Sequence, residues 1–141
     1  MSRTIKYLVC HCSATPHNTS IDAIKRYWKT ALKWKAVGYH KIIKADGTIV
    51  DLAPEESITN GVKGYNSVCL HLCYIGGKDV DDRTIGQRKS IAGVLLHWLK
   101  KYPNAKIIGH RDFPNVAKAC PRFDAEKEYG YLYDVAKTPT T

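Results

Sequence analysis

Residues 107–124, IIGHRDFPNVAKACPRFD, gather the most chemically capable side chains of this chain, with His110, Lys118 and Cys120 on either side of a proline-bearing loop. Imidazole and thiolate are zinc ligands, and a catalytic zinc site uses three protein donors and keeps one position for water. His110 ends a short apolar run and Cys120 follows the loop, so the two can fold back onto one ion. A third donor has to come from elsewhere. His11, at the end of the apolar run KYLVCHC (6–12), is the best placed, although six histidines leave other combinations open from spacing alone.

The other four cysteines are a weaker metal set. Cys10 and Cys12 flank His11, and Cys69 and Cys73 lie in an apolar run. On a strand, positions four apart are separated by about 13 Å, too far to share an ion. They are read as small buried hydrophobes. With five cysteines in all, an odd number in a chain read as made in the cytoplasm, reduced thiols or metal ligation are expected over a disulfide framework.

These groups need elements to hold them. Residues 6–12 read as a buried strand, and side-chain alternation turns His11 away from the thiols on either side of it. Thr19 and Asp22 have the form of a capping box. Ile21, Ile24, Trp28 and Leu32 then repeat at helical spacing through Lys33, with Trp28 as core. The runs 39–44 and 48–52, joined by Ala45-Asp46-Gly47, predict a hairpin that begins with Tyr39 and His40 facing opposite sides. Residues 54–66 are polar and glycine-containing, so they predict a long surface connection of the kind that often lines a site. Residues 68–75 read as an interior strand ended by Gly76-Gly77. Thr84 and Gln87 form a second capping box, opening a helix whose stripe is Ile91, Val94, Leu95, Trp98 and Leu99, with His97 on its solvated side. Residues 106–109 give the last strand, and 126–135 a short helix. His17 is read as a loop histidine. The interleaving predicts an α/β fold, a central mixed β-sheet of about five strands flanked by helices.

The 141 residues are the size of one domain with a real core, read as a single domain over 1–141 with the tail after about 135 frayed. No apolar run approaches the roughly 20 residues that span a bilayer, and the first residues lack the hydrophobic core of a secretory signal. The expectation is synthesis in the cytoplasm without a signal peptide and no membrane partner. The formal charge of +9 implies attraction to polyanions, whether nucleic acid, anionic lipid or an anionic wall polymer. The lysines are scattered and no nucleic-acid-binding signature accompanies them, so the charge reads first as a solvated basic surface.

Five blocks occur in order: VCHCSAT (9–15), VGYHKIIKADGTI (37–49), KGYN (63–66) with YIGG (74–77), GHRD (109–112) and KACPRFD (118–124). Together they resemble the zinc-dependent N-acetylmuramoyl-L-alanine amidases, the family of amidase-type phage lysozymes and peptidoglycan recognition proteins, over about residues 7–124. The resemblance implies one zinc per chain held by His11, His110 and Cys120, with Tyr39 and Lys118 as catalytic residues. It also implies hydrolysis of the amide between N-acetylmuramic acid and L-alanine in peptidoglycan. The implied role is a monomeric phage or prophage endolysin that acts on the cell wall after release. A non-catalytic peptidoglycan-binding module of the same fold is one alternative, against which the presence of Cys120 argues. A polyanion- or polymerase-binding regulator is another. In one place the chain departs from the family pattern. Cys69-Leu70-His71 stands where a small Ser-Ile-Gly-like step is expected, which puts packing or substrate shape there in question.

Overall fold

A computed structural model of the chain describes residues 3–114, 116 and 119–138. Five strands, β1 (Tyr7–Cys12), β2 (Lys41–Ile43), β3 (Ile49–Asp51), β4 (Cys69–Tyr74) and β5 (Lys106–Gly109), form one sheet in the order β3-β2-β4-β1-β5. β1 runs parallel to both β4 and β5, β2 runs parallel to β4, and only β2 and β3 pair antiparallel. This is the expected mixed five-stranded sheet. The hairpin turn is the predicted one: Gly47 adopts φ +92°, and the Thr48 amide donates to Asp46 Oδ1 at 2.9 Å.

Among the described residues, four helices, α1 (Ile21–Thr30), α2 (Ile85–Lys101), α3 (Ala125–Tyr129) and α4 (Leu132–Lys137), cover the sheet. None of the described helices is long and apolar enough to cross a membrane. α2 opens with the predicted capping box, in which Thr84 Oγ1 accepts from the Gln87 amide and Gln87 Oε1 accepts from the Thr84 amide. The Gln87 amide group also donates to the carbonyls of Ile43 and Ile75, fastening the helix start to the ends of β2 and β4. Its whole predicted stripe, Ile91 to Leu99, is buried against Leu8, Cys10, Leu70, Leu72 and Tyr74 of the sheet. At about 25 cal/mol per Å², each such large side chain contributes roughly 2–3 kcal/mol.

α1 differs from expectation at both ends. Its cap is Ser20, whose Oγ accepts from the Ala23 amide at 3.1 Å, in place of Thr19. It stops at Thr30, short of Lys33, which takes a left-handed φ of +59°. The chain doubles back there, stacking Trp34 on Trp28 and leaving Leu32 exposed. α1 thus lies on the opposite sheet face from α2, with Ile24 and Trp28 against Ile42, Cys73 and Ile75. The predicted helix over 126–135 resolves into α3 and α4. α3 is anchored by Arg83, whose fully buried guanidinium meets Asp81, Glu128 and the Tyr129 hydroxyl and lies 3.5 Å over the Phe123 ring.

Candidate active site

The site grows from the C-terminal edge of β1. Alternation puts Cys10 and Cys12 in the α2-facing core and turns His11 to the opposite face, as the strand pattern requires. The parallel register sets Val9 beside His71 and His11 beside Cys73, so these four side chains share one face. His11 is buried.

β5 ends at Gly109, and His110 opens a 3-10 turn, His110–Asp112, in which the Gly109 amide donates to Asp112 Oδ2. The Arg111 amide donates to the Cys120 carbonyl at 2.8 Å, and the Tyr74 hydroxyl donates to the Pro121 carbonyl at 2.8 Å. These bonds press residues 120–121 against the strand ends. Gly109 permits it, because a β-carbon there would stand 2.8 Å from Pro121 Cδ. His110 and Cys120 are thereby brought back onto His11.

The donor atoms of His11, His110 and Cys120 all lie within 4.8 Å of one another, and Cys120 Sγ is 3.9 Å from His11 Nδ1. In tetrahedral zinc with bonds of about 2.0–2.3 Å, donor atoms sit about 3.5 Å apart, so the widest pair would close by roughly 1 Å to hold an ion. The partly buried Cys120 accepts a hydrogen bond from the Cys12 amide at 3.2 Å, a contact that favours sulfur carrying negative charge. A bond to the Cys12 thiol, together with burial, holds the Cys120 thiol well above its ordinary pKa, so a metal would have to displace its proton. Cys10, Cys12, Cys69 and Cys73 are free and buried, matching their reading as core residues.

Tyr39 precedes β2, with its ring 4.8 Å from that of His11 and 5.4 Å from that of Trp28. Burial is the main reason its hydroxyl is held well above the usual tyrosine value, so the group is a hydrogen-bond donor at neutral pH. Lys118 lies outside the described residues. His40 is a core residue: its Nδ1 accepts from the His71 amide at 3.0 Å and its Nε2 donates to the Ser57 carbonyl at 2.8 Å. Arg3 approaches the same Nε2 at 3.3 Å, but a nitrogen already donating cannot accept there, and the guanidinium is satisfied by the carbonyls of Glu55 and Cys69. His97 is exposed on α2, and His17 is half-buried beside Asp82, outside the cluster of His11, His110 and Cys120.

Two residues of the site escaped the sequence reading. His71, fully buried on β4, has its Nδ1 2.9 Å from His11 Nε2, and its Nε2 is 2.8 Å from Asn66 Oδ1. Asn66 ends the long connection over 54–66 and opens the 3-10 turn Asn66–Val68, on the same sheet face as α1. The available signal was the departure at His71 from a small-residue step in an otherwise apolar strand.

The sequence model of the N-acetylmuramoyl-L-alanine amidase family matches residues 1–123. An endolysin of Enterobacteria phage K11 is 37% identical over 123 residues, covering 83% of this chain and 80% of the phage protein. Among solved structures, the N-acetylmuramoyl-L-alanine amidase LysC from Clostridium intestinale URNW superposes with a TM-score of 0.78 at 21% identity, over 97% of this chain and 88% of that one. The ectodomain complex of peptidoglycan recognition proteins LCa and LCx, solved with tracheal cytotoxin bound, gives a TM-score of 0.76 at 18% identity, over 89% and 81% of the two chains.

Proposed function

The chain belongs to the N-acetylmuramoyl-L-alanine amidase family, and from that premise we propose a single-zinc enzyme with His11, His110 and Cys120 as ligands. Its substrate is the amide between the lactyl group of N-acetylmuramic acid and the L-alanine of the stem peptide. The observation that carries this reading is the convergence of two imidazoles and one thiol, from β1, the end of β5 and the following loop, within 4.8 Å. When bound, zinc supplies a lowered pKa for water and a polarised scissile carbonyl, which an unactivated amide needs at neutral pH.

The protein's own groups do the remaining work. The protonated Tyr39 hydroxyl beside His11 donates a hydrogen bond to the attacking water or to an oxygen of the tetrahedral intermediate, orienting it. Lys118, two residues before the ligand Cys120, supplies a positive charge for the oxyanion that develops on the carbonyl. Cys120 is tied to β1 by the Cys12 amide, Pro121 to β4 by the Tyr74 hydroxyl, and the turn at His110 to Cys120 by the Arg111 amide, so the ligand segments are held in place before metal uptake.

The likeness to a phage endolysin supports a lytic role on the cell wall after release from the cytoplasm. The net charge of +9 suits an anionic wall polymer. The test is metal analysis alongside release of L-alanine amino termini from peptidoglycan, for the wild type and Lys118→Ala. One zinc per chain in both, with turnover in the wild type and its loss in the variant, is the expected result. Stoichiometric zinc with no amide hydrolysis by the wild type would exclude the reading.

A further inference from the structure

We propose that His71 is a positioning residue for the metal site, linking His11 through Asn66 to the backbone so that His11 presents the bare lone pair of Nδ1 to the ion. The inference rests on the zinc reading above and assigns a new residue to it.

The direction of each bond follows from one fixed donor. The Val62 backbone amide can only donate, and it does so to Asn66 Oδ1 at 2.7 Å, which identifies that atom as the carbonyl oxygen. His71 Nε2, 2.8 Å from the same oxygen, must then carry a proton and donate it. His71 is fully buried, where a second proton on its ring would place an uncompensated charge in the core, so the ring carries one proton. Its Nδ1 therefore accepts. His11 Nε2, 2.9 Å away, must donate to it, which leaves His11 Nδ1 as the unprotonated nitrogen. That is the atom that faces Cys120 Sγ at 3.9 Å. A backbone amide on the 54–66 connection thus decides, three links away, which nitrogen of His11 is available to a metal. Such partners of metal-binding histidines fix both tautomer and ring orientation.

The surroundings are shaped for this ring. A β-carbon at position 61 would stand 2.3–2.4 Å from the Nδ1, Cε1 and Cγ atoms of His71, so glycine there leaves the space that the imidazole fills. His71 is held from behind as well, since its own backbone amide donates to His40 Nδ1.

The test compares zinc affinity, by competition with a chromophoric chelator, for the wild type, His71→Gln and His71→Leu. Glutamine offers an oxygen to accept from His11, and leucine fills the volume without one. The expected result is a loss of about 10–100-fold for leucine, with glutamine retaining most of the affinity. Wild-type affinity in both variants would overturn the proposal. Equal losses in both would do so too, because they would show a space-filling role. If the wild type itself bound no zinc, the reading under Proposed function would fail first. Should the leucine variant not fold, nitrogen-15 NMR of the imidazoles in metal-free wild type decides: protons on Nε2 of both His11 and His71 are expected, and a proton on His11 Nδ1 would refute the chain.

Discussion

The imidazole of His71 occupies the place where residue 61 would carry its β-carbon, 2.3 Å from the built atom. Adding one methyl group at Gly61 must therefore move either the 54–66 connection or the ring. Gly61→Ala is expected to destabilise the fold by about 1–3 kcal/mol. It should also lower zinc affinity, because the displaced ring is the one bonded to His11. Urea unfolding and chelator competition on the same preparation check both parts.

Cys120 is the softest of the three donors, and its Sγ accepts from the Cys12 amide at 3.2 Å. Cys120→Ser is expected to weaken zinc binding at least about 10-fold and to abolish amide hydrolysis at limiting metal. Removing zinc by dialysis against a chelator should silence the enzyme while leaving the circular dichroism spectrum intact. The reason is that the core around α2 is built from large apolar side chains of the helix and the sheet. A chain that unfolded on zinc removal would contradict this.

Tyr39 lies against His11, with the two ring centroids 4.8 Å apart. Tyr39→Phe keeps the packing against Trp28 and removes only the hydroxyl. The expected outcome is a fall in kcat of about 100-fold or more with zinc content unchanged. Loss of zinc alongside loss of turnover would assign the tyrosine to the ligand shell instead.

Burial lowers the His40 pKa to about 4, whereas an unfolded histidine titrates near 6.5. Above pH 6.5 the ring is neutral in both states and costs nothing. As the pH falls from 6.5 towards 4 the unfolded chain takes up the proton first, so this group withdraws stability, reaching roughly 3 kcal/mol below pH 4. A proton NMR titration should find the His40 ring still neutral at pH 5. A midpoint near 6.5 would be inconsistent with its burial and with Nδ1 accepting from the His71 amide.

Arg83 carries its charge inside the protein, between Asp81 and Glu128, with Phe123 beneath it. Truncating one partner of a buried charge network leaves the others unpaired, so Arg83→Ala is expected to cost about 3–5 kcal/mol. Phe123 follows closely on Cys120, so the same variant should loosen the ligand loop. Thermal unfolding with and without zinc measures the two effects separately.

Much of this protein can be read from residue order alone. The Thr84/Gln87 capping box, the Asp46-Gly47 turn and the apolar stripe of α2 are local, because helix and turn chemistry operate over a few neighbouring residues. The α1 boundaries were missed by a residue at one end and by a turn at the other. There the stacking of Trp34 on Trp28, a contact between segments, overrides the periodic signal. The sequence also put His11, His110 and Cys120 forward as one metal set, through the blocks in which they stand. Their actual meeting depends on the order β3-β2-β4-β1-β5, which sets β5 and β4 on either side of β1. The role of His71 was illegible beforehand for the same reason. A histidine in an apolar strand shows its type but not its partners, and only the parallel register of β1 with β4, with the 54–66 connection laid across them, brings its ring between His11 and Asn66.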